Sequence, residues 1–220
     1  MKKLFLLPVL LILLSMTNHK KKRVVFFGDS ITQMGINKGG YIDRMDSLLQ
    51  QKNLQNKYEL IGAGVGGNKV YDLYLRMPED VLDKKPDIVV VWVGVNDVWH
   101  KTMGTGTDIE KFEKFYIAII KKLQQKKIKV IVTTPATIGE KYDATNAQDK
   151  DLDAYSDVIR KLAIEKNCGL VDLRKIFINY EKEHNTNNVE KGILTKDKVH
   201  LTDTGNQIVA AEMLKAITEK

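Results

Sequence analysis

Ser30 follows the apolar run 24–27 and the pair Gly28-Asp29, in the stretch "VVFFGDSIT". A serine at such a turn projects its hydroxyl from the end of a strand, but the hydroxyl is a poor nucleophile until a base takes its proton. Capping of a following helix by Asp29 or Ser30 is the other use of this pair. A base with an orienting carboxylate stands far along the chain in "KDKVHLTDTG", where Asp197 and His200 are three positions apart. That spacing lets one loop set a carboxylate against an imidazole, fixing its tautomer and stabilising the imidazolium formed when a serine proton is taken. Taken singly, a solvated loop aspartate and a surface histidine explain the same residues. Acyl transfer also needs donors aimed at an oxyanion. Asn96, after "VVVWVG", offers a neutral amide, with a turn beside Asp97 as its other reading. The glycines within 62–67 offer backbone N–H groups with no side chain in the way.

Those glycines carry a competing reading. In "LIGAGVGGNKV", Gly62, Gly64 and Gly67 fit the G-x-G-x-x-G pattern of dinucleotide loops. That fingerprint follows the first strand, with an acidic residue about 20 positions on at the end of the next strand. Here it follows the second strand. Asp83 and Asp87 fall before the next strand, and Asp97 lies too far on. An oxyanion loop accounts for Ser30, Asn96 and His200 as well, and is the reading adopted. His19, His100 and His184 show no ligand spacing, and neither H-E-x-x-H, C-x-x-C nor G-x-S-x-G occurs. No metal or organic cofactor is expected.

The elements that must position these groups are legible as alternation. Residues 23–28, 58–62, 87–94, 129–134 and 169–173 read as strands, and their near-continuous Val and Ile content suits a parallel sheet covered on both faces. Helical periodicity marks 111–123, 151–166 and 204–217, the last capped by Thr202 or Asp203. Strands alternating with helices predict an α/β sandwich of βαβ units, whose ligands bind beyond the carboxyl ends of the strands. Ser30, the glycine loop and Asn96 all fall there. Two further loops could wall a substrate pocket. The segment 98–108, rich in small residues that allow movement, carries Trp99 and His100, and the segment 135–148 carries Tyr142.

Composition narrows the class. The chain has 220 residues, enough for one domain that holds its core without staples. The single cysteine, Cys168, permits no internal bridge and reads as an inert thiol in a buried strand. The net charge of +7 is mostly terminal: without Lys2, Lys3, Lys20, Lys21, Lys22 and Arg23, 29 basic residues face 28 acidic ones. No basic stripe is interleaved with aromatics, so a nucleic-acid partner is not expected. Residues 1–20 combine a basic start with an apolar run over 4–14, too short to span a bilayer and suited to a signal peptide, or else an uncleaved anchor. The protein is therefore expected to be exported: periplasmic, secreted or tethered at the cell envelope. Residues 21–220 are expected to form a single folded domain.

The blocks "FFGDSIT", "GAGVGGN", "VGVND" and "DKVH", in this order, resemble the four blocks of the SGNH, or GDSL-type, hydrolases. The resemblance runs from about Arg23 to the end of the chain. It implies a flavodoxin-like three-layer α/β/α sandwich with a five-stranded parallel sheet. It also implies Ser30 as nucleophile with Asp197 and His200 completing the triad, and an oxyanion hole built from Ser30, Gly67 and Asn96. Gly66 stands one position from the second backbone donor. Ile31, Gly62 and Lys198 depart from the usual leucine, asparagine and glycine without removing a catalytic group. The expected activity is ester hydrolysis on small or carbohydrate-borne acyl esters. A lysophospholipase or thioesterase of the same fold and a non-catalytic glycan-binding protein are the alternatives.

Overall fold

The structure, a computed structural model, describes residues 20–143 and 145–219. The expected leader lies outside them except for Lys20. Five strands form one parallel sheet: β1 (Lys22–Gly28), β2 (Tyr58–Gly64), β3 (Ile88–Trp92), β4 (Lys129–Thr133) and β5 (Gly169–Val171). Their order is β2-β1-β3-β4-β5, every pair parallel. This is the flavodoxin-like order, with its switch point between β1 and β3.

Helices cover both faces. On one, α2 (Tyr41–Gln51) packs on α8 (Asp203–Thr218). On the other, α5 (Ile109–Gln125) packs between α3 (Val70–Asp80) and α6 (Asp149–Glu165). Sheet and helices share one core in which Val24, Val25, Phe27, Val89 and Val91 are fully buried. Such complete burial on neighbouring strands is what two covered faces require. Short α1 (Ser30–Gly35) and α4 (Val95–Trp99) start at the carboxyl ends of β1 and β3, and α7 (Leu173–His184) follows β5.

Three sequence expectations need correction. The fifth strand is three residues long rather than a buried run over 169–173: Leu170 is exposed at the sheet edge, and Asp172 caps α7 through the Lys175 N–H. Cys168 lies just before this strand, half-buried, and burial pushes its thiol up to about 11, which keeps it protonated. The segment 98–108 is not a free loop. It continues α4 into a 3₁₀ turn (His100–Met103) and is pinned by Thr105 N–H to His100 O and Thr107 N–H to Asp97 O, both 3.0 Å.

Candidate active site

Ser30 is the first residue of α1, so its N–H has no intrahelical acceptor. The preceding Asp29 caps this helix, accepting the Ile31 N–H at 3.0 Å. Capping thus falls to Asp29 and not to Ser30. Gly28 lets the turn close: a Cβ there would sit 2.5 Å from Trp92 O and 2.3 Å from Thr32 Oγ1. No larger residue fits.

Ser30 Oγ lies 2.9 Å from His200 Nε2, and His200 Nδ1 lies 2.7 Å from Asp197 Oδ2. A carboxylate only accepts, so the ring proton belongs on Nδ1, leaving Nε2 bare toward the hydroxyl. Burial raises the Asp197 pKa, but the bonds from the His200 ring and from the His200 and Val199 N–H groups outweigh it and hold the carboxyl below its ordinary value. The loop carrying both residues is a closed hairpin. Thr195 and Leu201 form an antiparallel bridge, Lys196 N–H bonds His200 O at 2.7 Å, and Thr202 caps α8 by accepting the Gly205 N–H.

Across from it, the loop 65–68 closes as a turn through Asn68 N–H to Val65 O, 3.3 Å, with Gly67 at φ +75°. Among the described residues, neither Gly66 nor Gly67 donates its N–H to a protein acceptor. A Cβ on Gly66 would lie 4.0 Å from Ser30 Cβ, so this turn runs against the serine. Asn96, buried at the start of α4, donates from Nδ2 to Asn68 O at 3.1 Å. That bond fixes the amide plane and leaves a second N–H on the same nitrogen.

Three residues that the sequence reading did not single out complete the frame. Asp97, fully buried, accepts the Val70 N–H and so lashes the start of α3 to the start of α4. The Arg76 guanidinium donates to Asn68 Oδ1 (2.6 Å), Gly28 O (2.7 Å) and Ala63 O (3.1 Å), and lies over the Phe27 ring. It joins the ends of β1 and β2 to the glycine turn. Glu140 holds the segment leading to Asp197. Asp97 was within reach of the motif, but a lone arginine and a lone glutamate give no sequence signal.

Two of the buried acids sit high. Burial pushes Asp29 up to about 7 against the pull of the Ile31 N–H, and pushes Asp97 up to about 6.

The substrate-wall candidates divide. His100 sits beside Lys69, where burial and that cation hold its pKa below the ordinary value. Trp99 is half-buried against the core. Tyr142 is placed elsewhere: its N–H donates to Asn188 Oδ1, and it lines a cavity of about 180 Å³ with Arg174, Asp149 and Glu181. A different cleft, of about 320 Å³, is lined by Ile31 and Leu201, the chain neighbours of Ser30 and His200, with Met34, Asn37, Lys196 and Asn206.

A 2-1-3-4-5 parallel sheet with hydroxyl, imidazole and carboxylate in relay at its carboxyl edge defines a flavodoxin-like α/β hydrolase. The chain belongs to the GDSL-like lipase/acylhydrolase family, which it matches over residues 26–208, and it is a carboxylic ester hydrolase. The crystal structure of an acetyl xylan esterase, AlAXEase, matches with a TM-score of 0.87 at 59% identity, over 89% of this chain and 99% of that one. An acetylxylan esterase from Geobacillus stearothermophilus is 27% identical over 215 residues, 89% of this chain and 94% of that protein. Solved structures of that enzyme include catalytic mutants with a serine or a histidine replaced by alanine, each at TM-score 0.78 and 25% identity over 90% of this chain and 95% of that one. An isoamyl acetate-hydrolyzing esterase from Schizosaccharomyces pombe is 22% identical over 200 residues, 90% of this chain and 75% of that protein.

Proposed function

We propose that this protein is an exported serine esterase that removes small acyl groups, acetyl foremost, from carbohydrate. The Ser30–His200–Asp197 relay, 2.9 and 2.7 Å between partners, is the observation that carries the reaction type. The Ser30 hydroxyl attacks the acyl carbon while His200 Nε2 takes its proton. The imidazolium so formed faces the Asp197 carboxylate, which stabilises it without itself being protonated. The oxyanion meets the N–H groups of Ser30 and Gly67 and the free N–H of Asn96. His200 then protonates the leaving alcohol, and a water repeats the sequence on the acyl-enzyme.

Support for the substrate comes from the two acetylxylan esterases that match along nearly their whole lengths. The 320 Å³ cleft agrees in size and chemistry, with room for one sugar-sized group and both amide and apolar walls. Incubation with acetylated xylo-oligosaccharides should release acetate, faster than the enzyme cleaves a p-nitrophenyl octanoate. Ser30→Ala should abolish both, and a fluorophosphonate should label the Ser30 peptide of the wild type. An unlabelled Ser30 in folded protein would sink the serine mechanism. Labelling without deacetylation would redirect the search to other esters.

A further inference from the structure

We infer that Glu140, outside the relay and outside every motif block, is a positioning residue that sets the register of the loop carrying Asp197 and His200. The inference rests on the serine-esterase reading above.

The Glu140 side chain is fully buried in the loop after β4. Its two oxygens collect four donors from three successive residues. Oε2 accepts the Ile193 N–H and Oε1 the Leu194 N–H, both at 2.8 Å, while Oε1 also takes the Thr195 N–H and the Thr195 hydroxyl, the latter at 2.6 Å. Successive backbone N–H groups converging on one carboxylate form an anion nest. Thr195 is also the residue that pairs with Leu201, next to His200, so the nest grips the base of the catalytic hairpin. A second staple reaches its tip: Gly139 N–H bonds the carbonyl of Lys198, between Asp197 and His200, at 2.9 Å. Glu140 itself is fixed through its backbone, by its N–H to Glu190 O and by Asn185 Nδ2 to its carbonyl.

Apolar anchors alone do not give this control. Leu194, Val199 and Leu201 are buried and keep the hairpin on the protein, but apolar contacts are non-directional. The Asp197 side chain is half exposed, so its aim depends on the backbone that carries it. Small errors there are costly, because a displacement of about 1 Å in a reacting group can lower a rate about 100-fold. Glutamine is a pointed test. It keeps the volume but turns one oxygen into an N–H donor, which must face a backbone N–H in place of accepting it.

Glu140→Gln should retain the far-UV circular dichroism of the wild type and melt above the assay temperature. With p-nitrophenyl acetate its kcat should fall about 10- to 100-fold at a KM within about twofold, and the rate of fluorophosphonate labelling of Ser30 should fall in step. A purely structural role would lower the melting temperature and leave kcat of the folded protein unchanged. A folded Glu140→Gln with wild-type kcat overturns the inference. Should that variant fail to fold, Thr195→Val, which removes only the hydroxyl from the nest, decides: a drop in kcat of about threefold or more at constant KM supports it, and an unchanged kcat overturns it. Wild type and Ser30→Ala run alongside. A wild type without Ser30-dependent hydrolysis or labelling sinks the esterase mechanism itself, and this inference with it.

Discussion

Both carboxylate oxygens of Asp97 lie 3.2 Å from the backbone nitrogen of Val70. The neighbouring Asn96 reaches the carbonyl of Asn68. Two adjacent side chains in the first turn of α4 therefore hold both ends of the segment 68–70, and with it the glycine turn that runs against Ser30. An oxyanion donor is effective only if it is aimed before the charge develops. The bond to Asn68 fixes the amide that carries the remaining Asn96 N–H, as the proposed oxyanion role requires.

Asn96→Ala should accordingly lower kcat on an acetate ester by ~10²–10³, the loss typical of one oxyanion donor, with a much smaller change in KM. Steady-state kinetics at saturating substrate checks it. A loss confined to KM would mean that the amide binds substrate without favouring the transition state.

Arg76 acts on the same turn from the other side. Its guanidinium spans Asn68, Gly28 and Ala63 at once, a geometry that the single ammonium of lysine cannot reproduce. Arg76→Lys should keep the fold and lower kcat about tenfold or more through misplacement of the donors. Wild-type turnover in this variant would show that Asp97 and Asn96 hold the turn unaided.

The sequence disclosed the parts of this molecule whose chemistry is local. Four of the five strands were readable because each is a run of apolar residues between polar breaks. The amphipathic α5 and α6 were readable because their apolar faces recur, and the weakly amphipathic α8 because apolar residues still return along it after the Thr202 cap. The fifth strand was overextended because apolar Leu170 and Leu173 straddle the point where the chain leaves the sheet edge and Asp172 starts a helix. Other helices were obscured for physical reasons. Six-residue α1 is too short to show a period, α3 carries Pro78 in its last turn, and α7 buries Arg174 and Glu181 where a pattern search looks for apolar side chains. Ser30, Asn96, Asp197 and His200 stood out by type and spacing. Arg76 and Glu140 did not, because their work is done through backbone carbonyls and N–H groups that no residue letter reveals.

Arg174 is the stability counterpart. Almost fully buried, it pairs with Asp149 at 2.8 Å and with the half-exposed Asp153 at 2.7 Å. Removing the cation strands Asp149 without its partner. Arg174→Met should cost ~3–5 kcal/mol in urea unfolding, and Arg174→Met combined with Asp149→Leu should recover part of that loss. A double variant no more stable than the single one would show that the pair is needed for packing as well as for charge.

Glu181 supplies a pH dependence with a definite sign. It is buried, one of its carboxyl oxygens has no hydrogen-bond partner among the described residues, and burial, together with the charge of Glu140, pushes it up to about 8 against the pull of Arg174. The unfolded chain releases this proton near its ordinary value of 4.5, whereas the folded protein keeps it to about 8. The group's contribution to stability is therefore fully present below about pH 4.5 and is lost as pH rises through that window. One pH unit inside it corresponds to at most about 1.4 kcal/mol. Asp29 and Asp97 act with the same sign over narrower ranges, to about 7 and about 6. Glu181→Gln cannot ionise, so whatever constant offset the amide introduces, its melting temperature relative to wild type should climb steadily between pH 5 and 8 and level off above. Thermal unfolding of both proteins across that range reads the difference directly, and parallel curves would mean that Glu181 titrates alike in the folded and unfolded chain.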